Sequence, residues 1–212
     1  LTQTEALARL RMILAESSAG MWQDTELYDC LDAGQNVVIQ MALAKENIAR
    51  QSGTEYHSPV LSPLIALDST NTTTTGSGYQ EYSLPSDFIA PYVALYSYTN
   101  AGTQYPCAFV DFGEAVKRSV NAYANNFKTP LAYIRAEKIG FFPQPIGGGA
   151  NNFAHYYYKQ PSTVASSQDF TLREETHEAI IEYGAYYAFD KIKDERAFIH
   201  LNNFTQKIQA IC

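Results

Sequence analysis

The sequence predicts an α+β fold: helices from both ends of the chain form one bundle, and a β-rich domain is inserted between them. Three observations lead there. Apolar residues recur at helical spacing through residues 1–50 and again through 171–212. Between them, residues 51–170 lose that period and alternate short apolar runs with Pro, Gly, Ser and Thr. The 212 residues are 46% apolar and 17% charged, which places the chain among globular proteins long enough to bury a core.

The first helix is expected over about residues 5 to 16. Thr2 and Glu5 have the spacing of a capping box, Leu7, Leu10 and Leu14 make one apolar stripe, and Gly20 can end the element in a left-handed conformation. Asp24 is then expected to cap a second helix, with Glu26 at its positive end. Leu27, Leu31, Gly34, Val38, Met41 and Ile48 lie at heptad-like spacings, which makes that helix long and packed along one side. Trp22, the only Trp, stands with Asp24 at the elbow between the two helices, where an aromatic ring wedges them at a fixed angle.

The middle third opens with "SGTEYHSPVLSPLIALDSTNTTTTGSG", which reads as non-helical and carries a low-complexity loop at Thr72 to Thr75. "YQEYSLP", "YVALYSYT" and "CAFVDF" are strand candidates, and a short helix is expected near Glu114 to Ala122. "LAYIRAEKIGFFPQP" reads as a hairpin turning at Ala136, Glu137 and Lys138, and "FAHYYYKQP" as a further strand. "PIGGGANN" is a flexible turn without the Lys-Ser/Thr of a phosphate loop.

Helical texture returns where Thr171 and Glu174 have capping-box spacing before "REETHEAIIEYGAYYAFDKIK". Gly184, Ala185 and Ala188 permit close helix contact, among Tyr183, Tyr186 and Tyr187. A final helix from Asp194 carries Ala197, Leu201, Phe204, Ile208 and Ile211 at nearly strict heptad spacing, so it is built to lie along another helix. This seam runs almost to the last residue. Ile208 and Ile211 are therefore expected to be exposed in a monomer and to join an interface, unless the same bundle covers them.

Composition excludes several functions. The net charge is −7 with no basic run, unlike a general nucleic-acid binder. No apolar stretch approaches a membrane span, and "LTQTEALARL" reads as an amphipathic helix rather than a signal peptide. Cys30, Cys107 and Cys212 are odd in number and unrelated in spacing, as reduced thiols made in a cytoplasm would be. The 16 Tyr suit either broad interfaces or half-exposed strands.

Candidate chemistry is sparse. His57, His155, His177 and His200 share no metal-ligand spacing. Glu174, His177, Glu178 and Glu182 lie three to four residues apart, but a di-metal bundle needs such a unit on two helices and only one is present. His177 reads instead as a first-turn residue on a solvated face. Asp111 and Glu114 are a carboxylate pair of the kind that caps a helix. There is no G-x-S-x-G elbow and no local Cys-His motif. The residues thus predict no catalytic site, no metal and no cofactor.

Four blocks in order carry a resemblance: "LRMILAE…MWQDTELYDCLDAGQNVV", "YSLPSDFIAPYVALY", "LAYIRAEKIGFFPQPIGG" and "LREETHEAIIEYGAYYAFDKIKDERAFIHLNNFTQKI". Together they are similar to the head-to-tail adaptor (connector) proteins of tailed bacteriophages, especially short-tailed ones. A Trp frequent before the hairpin is replaced here by Leu131 and Tyr133, and the linker from Gln51 to Gly78 is long and Thr-rich. The resemblance implies a non-enzymatic virion protein at the head–tail junction, made in the host bacterial cytoplasm. It implies a ring, usually of twelve copies, beneath the portal protein, extending the DNA channel and carrying tail or nozzle proteins. In that frame residues 1–50 and 171–212 build the ring, and 51–170 are a β-rich insertion, either tail- or nozzle-facing or embracing. Leu201, Phe204, Ile208 and Ile211 are the candidate portal or subunit interface, and Tyr156, Tyr157 and Tyr158 a candidate tail-facing surface. Two rival readings are a tail-tube or nozzle component and a carbohydrate-binding or glycan-cleaving module, in which exposed Tyr stack on sugars.

Overall fold

The computed structural model describes residues 1–16, 20–68, 81–97, 102–120, 128–143, 153–165 and 169–211. The Thr72–Thr75 loop, the "PIGGGANN" turn and Cys212 lie outside them. Helices at both ends of the chain flank a central sheet region, in two compact units: Leu1–Leu64 with Pro161–Cys212, and Ile65–Gln160.

The helical unit begins with α1 (Gln3–Ile13) and α2 (Asp24–Gln51). The capping box forms as the sequence requires: Thr2 Oγ1 accepts the Glu5 amide at 3.2 Å, and the Glu5 carboxylate accepts the Thr2 amide at 2.9 Å. At α2 the cap is one residue earlier than expected. Gln23 is the capping residue, its amide donating to the Glu26 carboxylate at 3.0 Å, and Asp24 is the first helical residue. The inner face of α2 is Leu27, Cys30, Leu31, Gly34, Gln35, Val38, Ile39, Ala42 and Glu46. Met41 and Ile48, expected on that face, are 39% and 67% exposed. A straight helix turns every 3.6 residues, so a 3.5-residue stripe drifts outward over 28 residues.

After α2 the chain does form a helical turn where none was expected, a 3₁₀ segment at Pro59–Leu64 burying Val60, Leu61 and Leu64. Glu46, 2% exposed, accepts the Ser58 amide at 2.6 Å and pins this segment to α2. The unit resumes after Gln160. Buried Gln3 accepts the Ala165 amide and donates to the Asp169 carbonyl, Asp32 accepts the Val164 amide, and Gln35 donates to the Ser162 carbonyl. Three polar side chains thus tie the backbone of an irregular, mostly exposed segment to α1 and α2. A 3₁₀ turn (Glu174–Thr176) leads into α4 (His177–Lys191), and α5 (Arg196–Ile211) closes the unit; α3 belongs to the other. The Thr171–Glu174 capping box does not form. The Thr171 hydroxyl is instead the acceptor for the Ser162 amide at 3.3 Å.

The sheet unit holds β1 (Ile65–Asp68), β2 (Glu81–Ser83), β3 (Phe88–Tyr96), β4 (Tyr105–Pro106), β5 (Ala108–Phe109), α3 (Phe112–Val120), β6 (Leu131–Arg135), β7 (Lys138–Phe142) and β8 (Phe153–Lys159). They form two four-stranded sheets, ordered β1-β8-β3-β4 and β2-β7-β6-β5, antiparallel except for β5 beside β6. Ala94, Tyr96 and Phe153 from the first sheet and Ala132, Ile139 and Phe141 from the second share one core. The expected hairpin is β6–β7, in register from Leu131 opposite Phe142 to Arg135 opposite Lys138. Its two-residue turn places Ala136 at φ 47° and Glu137 at φ 60°, the left-handed pair that matches strand twist. Neither is glycine, and the Glu137 carbonyl is braced by the Leu84 amide at 2.9 Å.

Candidate assembly surfaces

In the helical unit, α2 and α4 meet through glycines. A methyl group at Gly34 would lie 2.6 Å from the Ile180 carbonyl oxygen, and one at Gly184 would lie 3.3 Å from Leu31 Cδ2. Backbone approach this close needs both glycines, and it brings the buried halves of both helices into one core. Cys30 lies there, and burial pushes its thiol up to about 11, so it stays protonated and unreactive.

Trp22 lies two residues before α2 and is buried. The sequence did not reveal what holds it. Arg11, 8% exposed, donates to the Trp22 carbonyl at 3.1 Å, to Asp24 through Nε at 3.2 Å and to Glu16 at 3.3 Å. Asp24 therefore anchors Arg11 rather than capping the helix. Lys191 adds a cation 5.9 Å above the indole ring. Arg11 reads as an ordinary polar residue in α1; its partners in the fold mark it.

The C-terminal seam divides. Phe204 and Ile208 are 3% and 1% exposed, Phe204 edge-on to Tyr183 with centroids 5.0 Å apart. Ile208 is therefore not exposed in the monomer, because α4 of the same chain is the helix along which α5 lies. Leu201 and Ile211 remain half-buried. A polar network joins the same pair of helices. Glu182 accepts from His200 Nδ1 at 2.8 Å and Asn203 at 3.3 Å, with Lys207 at 3.4 Å. Burial works against charge on Glu182, but these donors hold its carboxyl below the ordinary value.

The three consecutive tyrosines lie on β8, an inner strand of its sheet. Tyr157 and Tyr158 are buried, and only Tyr156 is half-exposed, so the trio does not form one outer surface. The reason is that both sheet faces are covered here: Tyr157 donates to Asp87 at 2.9 Å, and Tyr158 packs against Tyr92 with centroids 5.4 Å apart. Burial and the Asp87 carboxylate push the Tyr157 phenol up to about 12.

His177 and Asp111 have structural partners. His177 is buried rather than solvated, its Nε2 3.0 Å from the Leu172 carbonyl oxygen and its ring against Phe170. Asp111 Oδ1 accepts the Glu114 amide at 2.9 Å, the cap its spacing suggested. Among the described residues, no three of His, Cys, Asp and Glu gather as metal ligands. No helix among them is long and apolar enough to cross a membrane.

No curated protein matches the chain. The SU10 adaptor protein family matches residues 2–211, which spans both the helical and the sheet unit. The chain belongs to the SU10 adaptor protein family, and it is a bacteriophage structural adaptor.

Proposed function

We propose that this adaptor assembles into a ring of twelve copies beneath the portal at the head–tail junction of the virion. The ring extends the DNA channel and offers a platform to tail or nozzle proteins. The observation that carries the reading is the end-to-end family match, over residues 2–211. Residues 1–50 and 171–212 are the ring-building part, and 51–170 face the tail. The protein works as a structural part without catalysis or cofactor, and DNA passes without specific binding. A net charge of −7 supports that passage, since a wall that held phosphates tightly would stall ejection. Synthesis and assembly take place in the host bacterial cytoplasm.

Docking to the portal is assigned to the C-terminal seam at its two half-buried positions, Leu201 and Ile211, because Phe204 and Ile208 are occupied within the chain. Negative-stain imaging of the purified chain mixed with portal rings tests the function. A second ring of density stacked on the portal is expected, and a mixture in which the two never associate would overturn it. Ile211→Asp tests the assignment, since it leaves Phe204 and Ile208 in place and should remove docking without unfolding the chain.

A further inference from the structure

The outward drift of the α2 stripe leaves a second apolar line on the helix exterior, Val37, Met41, Ala44 and Ile48, at spacings of four, three and four residues. Its last three members, with Lys45, Ile208 and Gln209, line an open groove of about 360 Å³ along α2 and α5. Near the start of α5 is the opposite shape. Phe198 and Ile199 stand 69% and 57% exposed, the largest apolar projection on that helix.

These two features cannot satisfy each other within one molecule. Phe198 and Ile208 are ten residues apart on one helix, which separates projection and groove by roughly 15 Å along its axis. They can satisfy each other between molecules. Glu195 directly precedes α5, its carbonyl accepting the Phe198 amide at 3.3 Å, so its exposed carboxylate sits at the same end of the helix as the projection. Lys45 lies four residues after Met41 and three before Ile48, and so borders the groove. A projection carrying a negative charge thus matches a groove carrying a positive one. A second groove among the described residues, between α1 and α4, is lined by Arg9, Met12 and Glu178 and bridged by the Arg9–Glu178 ion pair, so it is less open to a partner.

We propose that Phe198 and Ile199 of one copy seat in the Met41–Ala44–Ile48 groove of the next, with Glu195 of the first against Lys45 of the second. The contact is head-to-tail: each copy presents both halves, and repetition about an axis closes a ring. This inference rests on the ring reading above and names the surfaces that would make it.

The test uses assembled particles carrying Ile48→Cys with Ile199→Cys in a Cys107→Ser, Cys212→Ser background, where the remaining Cys30 is fully buried, treated with a short bis-maleimide. A ladder of covalently joined copies is expected, and neither single variant should give one. Chain present in the particles without a ladder overturns this contact while leaving the ring reading intact. So does crosslinking to a different polypeptide, which would make the groove a docking site for another component. Absence of the unsubstituted chain from purified particles overturns the ring reading itself. A charge exchange gives an independent measure. Lys45→Glu and Glu195→Lys should each lower incorporation by roughly two- to fivefold, and the double exchange should restore it. Double-exchange particles no better than either single would refute the pairing.

Discussion

In the helical unit the closest packing is made by leaving side chains out. Gly34 and Gly184 let α2 and α4 approach until backbone meets backbone and Leu31. In the sheet unit the core is filled by rings: Phe141 stacks on Tyr96 with centroids 5.3 Å apart and 6° between planes, and meets Phe153 at 4.8 Å. The sheet unit has a tight glycine too: Gly140 lies opposite Tyr133 in the hairpin register, and the Tyr133 ring occupies the space a Cβ would take. The helical core is thus sensitive to added atoms, whereas the ring-filled sheet core is sensitive to removed ones and, at Gly140, to added ones as well.

The largest effect expected from that contrast is in the sheet unit. Phe141→Ala should cost about 3–5 kcal/mol, because its aromatic neighbours are fixed in place and cannot collapse into the cavity. Urea unfolding followed by circular dichroism measures it. A cost below that of an ordinary surface change would mean that the rings repack freely.

Acid should strike the same unit next. His155 is fully buried on β8 beside the stacked rings of Phe88 and Tyr157, and neither ring nitrogen has a hydrogen-bond partner among the described residues. Burial pushes its pKa down from 6.5 to about 4, although Asp68 pulls the other way. The folded state thus binds its proton later than the unfolded state. Its contribution is fully present above pH 6.5 and is lost as the pH falls toward 4, about 3 kcal/mol in all. Melting temperatures between pH 7 and 4 should drop steeply, and His155→Phe should flatten that window. An equal slope in the variant would assign the loss to other groups.

Adding one methyl in the helical unit is the converse test. Gly34→Ala should cost about 1–3 kcal/mol, since the carbonyl of Ile180 is backbone and moves only with α4. Gly53→Ala is the control: its φ is 75° but nothing lies within 4 Å, so only backbone strain is felt. If both substitutions cost the same, close packing is not what Gly34 provides. The smallest effect concerns the cap of α1. Thr2→Ala should cost about 1 kcal/mol, read by the same unfolding experiment, with Thr2→Ser restoring most of it.

Legibility in the sequence followed the range of the interaction. The α1 capping box, the β6–β7 hairpin, the Asp111 cap and the small residues of α4 are set by neighbours a few positions away, and each could be read from spacing. Met41 and Ile48 were assigned to the wrong face because a heptad and a true helix diverge slowly. Thr171 and Glu174 have capping spacing, yet a residue nine positions earlier took the hydroxyl. The rest depended on distant partners. Gln3 holds residues more than 160 positions away, Arg11 gathers two carboxylates and a carbonyl, and β8 runs between two other strands. Nothing local in "HYYY" says that two of its three tyrosines will be covered. For the candidate surfaces, spacing found the seam on α5 but not its occupant, which was α4.

The elbow residue has a spectroscopic consequence. Trp22 is the chain's single indole, so long-wavelength intrinsic fluorescence arises from one corner of the helical unit alone. That corner is dry, with an ammonium over the ring and a guanidinium on its carbonyl. Its emission should be blue-shifted at rest and should move red only when the junction of α1 and α2 opens. An event elsewhere that leaves this junction closed will be dark in that channel, and any partner that brightens or shifts it has reached the elbow.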